Sequence, residues 1–279
     1  MPVTLLGAAE IRALAADLDV TPTKKLGQNF VVDANTVRKI VTAARVTSAD
    51  RVVEVGPGLG SLTLAILETG APVTAVEIDH RLAERLPATA AAHGVPDGAL
   101  IVVAQDALRV SELPGDPDVL VANLPYNVSV PVLLHFMEHF PTIQRGVVMV
   151  QAEVGERLAA PSGSKVYGAP SVKAAWYGTW RLAGTVSRQV FWPVPNVDSV
   201  LVGFERDAAA RGTEEERLRT FAIVDAAFQQ RRKMLRQALS AVLGGSSAAA
   251  SEVLERAGVA PTARGEELTI EDFVRIARA

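Results

Sequence analysis

The glycine-rich stretch Gly56-Pro57-Gly58-Leu59-Gly60 constrains the fold more than any other feature, because it joins a strand pattern to a helix pattern. Residues 51–55, with the sequence RVVEV, have the composition of a buried strand, and residues 60–69 have the apolar spacing of a helix. Glycines in such a turn allow the backbone to approach a ligand closely. The stretch therefore predicts a strand–turn–helix unit with a ligand at the turn.

The same alternation of strand and helix continues to about residue 204. Further strands are predicted at residues 73–77, 100–103, 118–122 and 146–150, and further helices at residues 81–92 and 131–140. This alternation is typical of a parallel sheet that is covered by helices on both faces. We therefore expect a doubly wound, Rossmann-like α/β sheet whose ligands bind beyond the carboxyl ends of the strands.

The distribution of strand and helix patterns divides the chain into an N-terminal extension, a sheet domain and a helical domain. The extension covers residues 1–22, and the sheet domain covers residues 23–207, beginning with a helix that Asp33 can cap. Beyond a linker near 208–212 the pattern is wholly helical, with helices predicted at 214–228, 233–243, 247–257 and 270–277. Residues 208–279 are therefore predicted to form a small all-helical domain.

Composition excludes several classes of function. The chain has 279 residues, 49% of them hydrophobic, which is enough for a packed core. The absence of cysteine excludes disulfides, thiolate zinc sites, iron–sulfur clusters and a cysteine nucleophile. His135 and His139 are four residues apart but have no HExxH context, so no metal is predicted. A net charge of −3 argues against a protein that coats nucleic acid generically, although it allows a local basic patch.

The N-terminus lacks the basic start and the cleavage site of a signal peptide, and no apolar run approaches the length of a membrane span. A cytoplasmic protein that does not associate with membranes is the expectation.

Two acidic residues close the strands that follow the glycine turn, and they indicate a nucleoside-containing cofactor. Glu77 can accept hydrogen bonds from a pair of ribose hydroxyls, and Asp106 can accept one from an exocyclic amine. A dinucleotide fingerprint would need a third glycine where this chain has Ser61. S-adenosylmethionine has no pyrophosphate and is favoured over NAD. The glycines alone also fit a tight strand–helix turn, but that interpretation leaves both acids unexplained.

The strand at 118–122 ends in the motif Asn123-Leu124-Pro125-Tyr126, which suits a flat substrate with a poorly nucleophilic amine. The side-chain oxygen of Asn123 and the carbonyl of Leu124, held by the rigid Pro125, can accept the two hydrogens of an adenine amine. Tyr126 can stack on the base. The alternative is a turn that ends the strand, with Tyr126 only packing.

Several motifs occur together and in order along the chain. They are LGQNF at 26–30, EVGPGLG at 54–60, EID at 77–79, QDA at 105–107, NLPYN at 123–127, FWPVPNVDS at 191–199 and AFQQRRKMLRQAL at 227–239. From residue 24 onward the chain closely resembles the small-subunit ribosomal RNA adenine dimethyltransferases, whose loss gives kasugamycin resistance. The resemblance implies a class I methyltransferase fold.

The resemblance also implies an activity. The enzyme would transfer methyl groups from S-adenosylmethionine to N6 of two adjacent adenines in the 3′-terminal hairpin of 16S rRNA, giving dimethyladenosines. Its substrate would be the 30S subunit or its precursor, and its role would be in small-subunit biogenesis. We expect the protein to act as a monomer.

Functional residues are carried over by motif. The implied cofactor contacts are Gln28, Asn29, Val31, Gly56, Gly58, Glu77, Asp106 and Asn123. The family often has leucine where this chain has Val31, and a contact through the backbone would survive that change. Phe191 would flank the target base opposite Tyr126, or it is a core phenylalanine at a strand edge, and both interpretations stay open.

Basic residues form the predicted RNA contacts. The denser cluster is Arg231, Arg232, Lys233 and Arg236, and the smaller one is Lys24 and Lys25. Both suit RNA phosphates, although a charge run is more often a solvated helix face. Lys165 and Tyr167 are expected on a loop that faces the substrate.

Three other functions compete with this one. The related 23S rRNA methylases, which give macrolide resistance, share the glycine turn and a similar strand tip, but the QRRK helix favours the small-subunit enzyme. A non-catalytic RNA-binding factor on the same fold would have no need of the intact motifs. An NAD oxidoreductase is weakened by the absent third glycine.

Overall fold

The structure is a computed structural model that describes residues 2–20, 29–125 and 127–279. Its helices are α1 (Ala8–Asp17), α2 (Ala34–Ala43), α3 (Ser61–Leu67), α4 (His80–Ala92), α5 (Ser129–His139), α6 (Ala152–Leu158), α7 (Ala169–Ala175), α8 (Glu214–Gln229), α9 (Leu235–Ala238), α10 (Ser247–Arg256) and α11 (Ile270–Arg278). Its strands are β1 (Phe30–Val31), β2 (Val52–Val55), β3 (Val73–Glu77), β4 (Leu100–Ala104), β5 (Val119–Asn123), β6 (Arg145–Gln151), β7 (Gly178–Val186), β8 (Phe191–Trp192) and β9 (Ser199–Arg206).

The main sheet has seven strands in the order β4-β3-β2-β5-β6-β9-β7. Strands β4, β3, β2, β5 and β6 pair in parallel, and β9 pairs antiparallel to β6. The chain moves outward from β2 through β3 to β4, then returns to place β5 on the other side of β2. The boundary between β2 and β5 is therefore a topological switch point. The predicted doubly wound α/β sheet is confirmed, whereas the antiparallel β9 and the edge strand β7 were not predicted.

The inner strands form because most of their residues are apolar on both faces. All residues of β2 and β3 are buried, as are the first four of β5, which is the pattern of a parallel sheet with both faces covered. The predicted cap of α2 is present, since the Asp33 carboxylate accepts from the backbone N–H of Thr36 at 2.7 Å. Helix α2 then buries Val37, Ile40 and Val41, as its apolar spacing predicts.

The chain forms two compact units. The first comprises Met1–Gly155 and Arg181–Arg206, and the second comprises Glu156–Trp180 and Asp207–Ala279. The sequence pattern by itself predicts that residues 156–180 belong to the sheet domain. In the second unit Trp176, at the end of α7, makes an edge contact with Phe221 of α8 at 6.0 Å between ring centroids. Because α7 uses its apolar residues against α8, residues 156–180 cluster with the C-terminal helices.

The N-terminal extension is integrated into the first unit. Ile11 and Ala15 of α1 are buried in one apolar cluster with Leu64 of α3 and Leu82 of α4. The sequence pattern gave no role to these residues, because the apolar face of this helix has little contrast with its polar face. Across residues 2–20, 29–125 and 127–279, no helix combines the length and apolar character that a membrane crossing needs.

Helix α9 corrects a sequence prediction. A helix was expected over 233–243, but only Leu235–Ala238 is helical. Turns follow it, and Gly244 and Gly245 have φ values of 94° and 80°. The helix ends well before these glycines, at Leu239, whose φ and ψ of −98° and 0° lie outside the α-helical region.

Candidate active site

Parallel register brings residues from separate motifs to one edge of the sheet. Val55 of β2 pairs with Val76 of β3 and with Ala122 of β5. Glu77 and Asn123, each the next residue of its strand, therefore lie on either side of the glycine turn. The switch point thus collects side chains that are far apart in the chain.

A cavity of about 230 Å³ opens at this edge, within the first unit. The predicted cofactor positions Asn29, Val31, Gly56, Gly58, Glu77, Asp106 and Asn123 all line it, as do Leu124 and Pro125 of the strand-tip motif. Gln28 and Tyr126 lie outside the described residues. Lys24 and Lys25 lie outside them as well.

The glycine turn is required by protein packing as well as by a ligand. Gly56 and Gly58 have φ values of 70° and 57°, in the left-handed region. A Cβ atom on Gly58 would lie 2.9 Å from Cε1 of Phe30, which is too close for two carbon atoms. Sequence reasoning attributed these glycines to the approach of a ligand. At Gly58 the group that approaches is the ring of Phe30, which itself lines the cavity.

Glu77 is a buried carboxylate that organises the turn. Its Oε2 accepts from the N–H of Gly58 at 3.0 Å, and its Oε1 accepts from the N–H of Asp79 at 3.0 Å. Burial raises the pKa of Glu77, and the N–H groups of Asp79 and Gly58 oppose this by favouring the charged form. Each carboxylate oxygen keeps a further lone pair, so Glu77 can accept from a ligand while it holds the turn.

Asp106 opens a short turn beyond β4. Glu77 pairs with Ala104, two residues before Asp106, so the two acids lie on adjacent strand ends. The Oδ1 atom of Asp106 accepts from the N–H of Leu108 at 2.9 Å. Its Oδ2 atom lies 3.9 Å from Nε of the exposed Arg109. The second oxygen remains able to accept a hydrogen bond from a ligand in the cavity.

The strand-tip motif is tied to the segment that precedes β1. Asn123 donates through Nδ2 to the carbonyl oxygen of Asn29 at 3.1 Å. With the nitrogen used in this way, Oδ1 is the end of the amide that can accept from a substrate. The N–H of Leu124 donates to the carbonyl of Met149 at 3.1 Å, which fixes the peptide whose carbonyl the sequence also predicts as an acceptor.

Glu54 is a residue of the cavity wall that sequence reasoning missed. It is fully buried in β2, and burial raises its pKa to about 8, with the Glu77 carboxylate adding to the effect and the hydroxyl of Thr63 opposing it. Neither Glu54 Oε2 nor Thr63 Oγ1 has a hydrogen-bond partner of good geometry among the described residues. The signal was a charged residue inside an otherwise apolar strand pattern, which is costly unless something pairs with it.

The residues present fit S-adenosylmethionine. Ile78 and Leu108 line the cavity and are 53% and 38% exposed, so they offer apolar surface to a flat base. Glu77 and Asp106 supply acceptors for ribose hydroxyls and for an amine. The unpaired, buried Oε2 of Glu54 is the kind of group that an ammonium would satisfy.

Phe191 lies in the core and not on the cavity wall. It is 2% exposed and belongs to the same apolar cluster as Val31, its partner in the antiparallel pairing of β1 and β8. Its neighbour Trp192 is on the opposite face of the ribbon, where its ring stacks on Phe30 at 6.4 Å. This placement agrees with the core alternative, because strand alternation turns the ring inward, while the base-flanking alternative stays a prediction.

The side chains of the predicted RNA-binding cluster are partly engaged by other groups of the protein. Arg231 donates from Nε to the Glu266 carboxylate at 2.7 Å and from Nη2 to the carbonyl of Lys165 at 2.8 Å. Arg232 and Lys233 are exposed in the turn between α8 and α9, not on a helix as predicted. Arg231 therefore ties two loops of the second unit together, and its contact with RNA phosphate stays a prediction.

The sequence prediction for Tyr167 is corrected. Its ring is 4% exposed, and its hydroxyl donates to the carbonyl of Leu268 at 2.8 Å. Burial raises the pKa of this hydroxyl to about 12, with Glu271 and Asp272 adding to the effect. The composition of this loop, which is rich in glycine and serine, suggested an exposed residue that faces the substrate. The aromatic ring instead anchors the loop within the second unit.

His135 and His139 stack on each other, with ring centroids 4.1 Å apart. Across the described ranges, no group of three or more histidine, aspartate or glutamate side chains is arranged to hold a metal ion.

Comparison with known proteins identifies the family. The family model for ribosomal RNA adenine dimethylase matches residues 21–279. A protein of Leifsonia xyli named ribosomal RNA small subunit methyltransferase A is 69% identical over 98% of this chain and 98% of its own length. A dimethyladenosine transferase from Plasmodium falciparum is 26% identical with a TM-score of 0.75, covering 88% of this chain and 94% of its own. The 23S rRNA methyltransferase ErmE is 26% identical with a TM-score of 0.67, and the match covers 90% of this chain and 98% of ErmE.

These similarities extend over both the sheet and the C-terminal helices, and they agree with the acceptor groups found at the sheet edge. The NAD alternative is thereby set aside. The chain belongs to the ribosomal RNA adenine dimethylase family and is an S-adenosylmethionine-dependent rRNA adenine dimethyltransferase.

Proposed function

We propose that this enzyme dimethylates N6 of two adjacent adenines in the 3′-terminal hairpin of 16S rRNA, within the 30S subunit or its precursor. The observation that carries this proposal is the 69% identity, across 98% of both chains, to a relative named for the small ribosomal subunit. ErmE, named for 23S rRNA, is much more distant at 26% identity. In this proposal the enzyme works as a monomer during small-subunit biogenesis.

The residues proposed to hold the cofactor are those that line the cavity at the sheet edge. Glu77 would accept from the ribose hydroxyls, Asp106 from the adenine amine, and Glu54 would pair with the ammonium group. When bound, S-adenosylmethionine supplies an electrophilic methyl group. The hydrogen bonds that Gly58 and Asp79 donate to Glu77 support this assignment, because they hold its carboxylate in place before any ligand arrives.

The residues proposed to act on the target adenine are those of the strand-tip motif. Its amine is a poor nucleophile, since its lone pair is delocalised into the ring. Asn123 Oδ1 and the Leu124 carbonyl would accept its two hydrogens and favour a pyramidal nitrogen, while Tyr126 would stack on the base. The methylated nitrogen is acidic and loses its proton to water, so positioning and electrostatics suffice without a strong base.

RNA recognition is proposed for the exposed cations of the helical domain, residues 208–279, together with Lys24 and Lys25. Arg231, Arg232 and Lys233 are all exposed, Arg231 is paired with Glu266, and Arg236 is half-buried on α9. A local basic surface of this kind on an acidic protein suits contact with phosphates at a defined place, not general adhesion to nucleic acid.

The test is methyl transfer from radiolabelled S-adenosylmethionine to purified 30S and 50S particles that lack these modifications, followed by nucleoside analysis. Dimethyladenosine from 30S particles alone is the expected result, and Asn123→Ala serves as the inactive control. Label in 50S particles would redirect the proposal to a large-subunit target. Absence of label in both, with cofactor binding retained, would favour a non-catalytic RNA-binding factor.

A further inference from the structure

His135 connects the helix behind the strand-tip motif to the turn that carries Asp106. It lies on α5 one turn beyond Val132, which lines the cavity. The Nε2 atom of His135 lies 2.8 Å from the carbonyl oxygen of Val110, which is a fully buried residue. Because a carbonyl can only accept, Nε2 is the nitrogen that carries the hydrogen.

Val110 closes a compact turn that begins at Asp106. The N–H groups of Arg109 and Val110 donate to the carbonyl of Asp106 at 2.8 and 3.1 Å. The N–H of Leu108 donates to the Asp106 side chain at 2.9 Å. The turn is thus rigid within itself, and the bond from His135 joins its far end to α5. Moving Val110 would move Asp106 and Leu108, which both line the cavity.

We propose that His135 is a positioning residue for the cofactor, which holds the Asp106–Val110 turn against α5 so that the cavity wall is formed before the cofactor binds. The proposal rests on the assignment of this cavity to S-adenosylmethionine. Without the bond, cofactor binding has to order the turn, and the ordering cost is subtracted from affinity. The buried carbonyl of Val110 also loses its donor.

His139 provides a matched control. Its ring stacks on that of His135 at 4.1 Å, and its Nδ1 lies 3.0 Å from the carbonyl of His135, within the same helix. It is exposed, and its hydrogen bond stays within α5 and does not reach the Asp106 turn. A change at His139 therefore alters the same helix end and the same ring stack while leaving the tie to Val110 intact.

The experiment compares His135→Leu, His135→Gln and His139→Gln by calorimetric titration with S-adenosylmethionine and by steady-state methylation. Leucine keeps apolar bulk but has no donor, whereas the glutamine amide can reach the position of Nε2. We expect His135→Leu to raise Kd and KM for S-adenosylmethionine about three- to tenfold, the effect of one lost hydrogen bond. Turnover at saturating cofactor should stay within about twofold, since the target-amine acceptors are unchanged. His135→Gln should restore most of the affinity, and His139→Gln should match wild type.

Two further measurements separate the possible failures. A lowered Tm for His135→Leu with unchanged Kd would reduce the residue to a structural role and overturn the proposal. Asp106→Ala tests the cavity assignment itself. If Asp106→Ala weakens binding and His135→Leu does not, the positioning role fails alone, and if neither weakens binding, the cofactor assignment fails. Long-range ¹H–¹⁵N spectra should show His135 as the Nε2–H tautomer in the cofactor-free protein, and the Nδ1–H tautomer would contradict the geometry.

Discussion

The side-chain amide of Asn123 donates to the backbone carbonyl of Asn29 at 3.1 Å, across 94 residues of chain. The bond joins the NLPYN motif at the tip of β5 to the LGQNF motif before β1. It also assigns the two ends of the amide, since the nitrogen is used by the protein and the oxygen is left to accept. Two motifs that are separate in sequence therefore form one wall of the cavity.

Replacement of Asn123 tests the proposed role of that oxygen. We expect Asn123→Ala to lower kcat by about a hundredfold or more, the usual cost of removing one preorganised polar group from a reacting centre. The Kd for S-adenosylmethionine should rise less than about fivefold, because the lost bond to Asn29 only loosens the adjoining wall. Single-turnover methylation and calorimetry measure the two effects. Wild-type turnover in Asn123→Ala would remove the residue from the chemistry.

Glu77 is predicted to control cofactor affinity. In Glu77→Gln an amide nitrogen replaces an oxygen where the N–H groups of Gly58 and Asp79 both donate, so one donor loses its acceptor. We expect Kd for S-adenosylmethionine to rise about tenfold to a hundredfold, as for a lost bond to a charged group. Asp79→Asn is the control, because Asp79 caps α4 and pairs with Arg81 outside the cavity. Equal affinities for Glu77→Gln and wild type would relocate the ribose site.

Glu54 predicts a dependence of stability on pH. Burial raises its pKa to about 8 from the usual 4.5, so the folded state binds a proton more tightly than the unfolded state. The contribution of Glu54 to folding is therefore fullest below about pH 4.5 and is lost as pH rises through about 8. Between these values the free energy of unfolding should fall by up to about 1.4 kcal/mol per pH unit from this group.

The comparison with Glu54→Gln isolates that contribution, since Glu77, whose pKa burial also raises, is present in both proteins. Urea unfolding at pH 5, 6, 7 and 8 should show that the free energy of unfolding of the variant increases relative to that of wild type as pH rises. Parallel curves for the two proteins would mean that Glu54 is not the titrating group.

The basic cluster should separate into a structural and an RNA-binding part. Arg231→Ala removes the bonds to Glu266 and to the Lys165 carbonyl, and we expect it to cost about 1 kcal/mol of stability. Arg232→Ala with Lys233→Ala should leave stability within about 0.5 kcal/mol, because neither side chain has a partner in the described part of the chain. The pair should instead reduce the slope of log binding constant against log salt by about 1.4 to 1.8. An unchanged slope for 30S binding would move the RNA surface elsewhere.

Phe191 should affect folding more than chemistry. Phe191→Leu shrinks a ring in the core cluster, and we expect a loss of about 1 to 2 kcal/mol of stability with kcat within about twofold of wild type at 15 °C. Thermal unfolding and initial rates are compared on the same preparation. A collapse of kcat with an unchanged Tm would favour the base-flanking interpretation.

Local pattern was sufficient where one element determines the outcome. The apolar runs at 52–55 and 73–77, the glycine turn and the capping Asp33 each depend on neighbours within a few residues, and each was located from sequence. The antiparallel β9 and the edge strand β7 were missed, since their pairing partners are distant in the chain. The role of Phe191 stayed open for the same reason, because alternation on β8 has meaning only once β1 is its partner.

The folded chain was needed to decide which charged side chains are paired and which aromatic ring is buried. Arg231, Arg232 and Lys233 are equivalent in the sequence, yet only the first meets Glu266. Tyr167 lies in a segment whose composition predicts a loop, yet its ring is enclosed by residues that are more than sixty positions away, such as Leu268. A pattern of residue types cannot distinguish these cases, because contacts between distant segments decide which polar atoms are used internally.

By itself the sequence determined the class of sheet, the family and the residues of the cofactor and strand-tip motifs, because each is encoded in a short, contiguous run. Only the tertiary structure decided that the side-chain nitrogen of Asn123 donates to Asn29, that Glu54 Oε2 is buried without a hydrogen-bond partner among the described residues, and that His135 reaches the turn of Asp106. These facts depend on register and on burial. Both are properties of how the strands lie side by side, and a hydrogen bond or a shifted pKa exists only when segments that are distant in the chain share one small volume from which water is excluded.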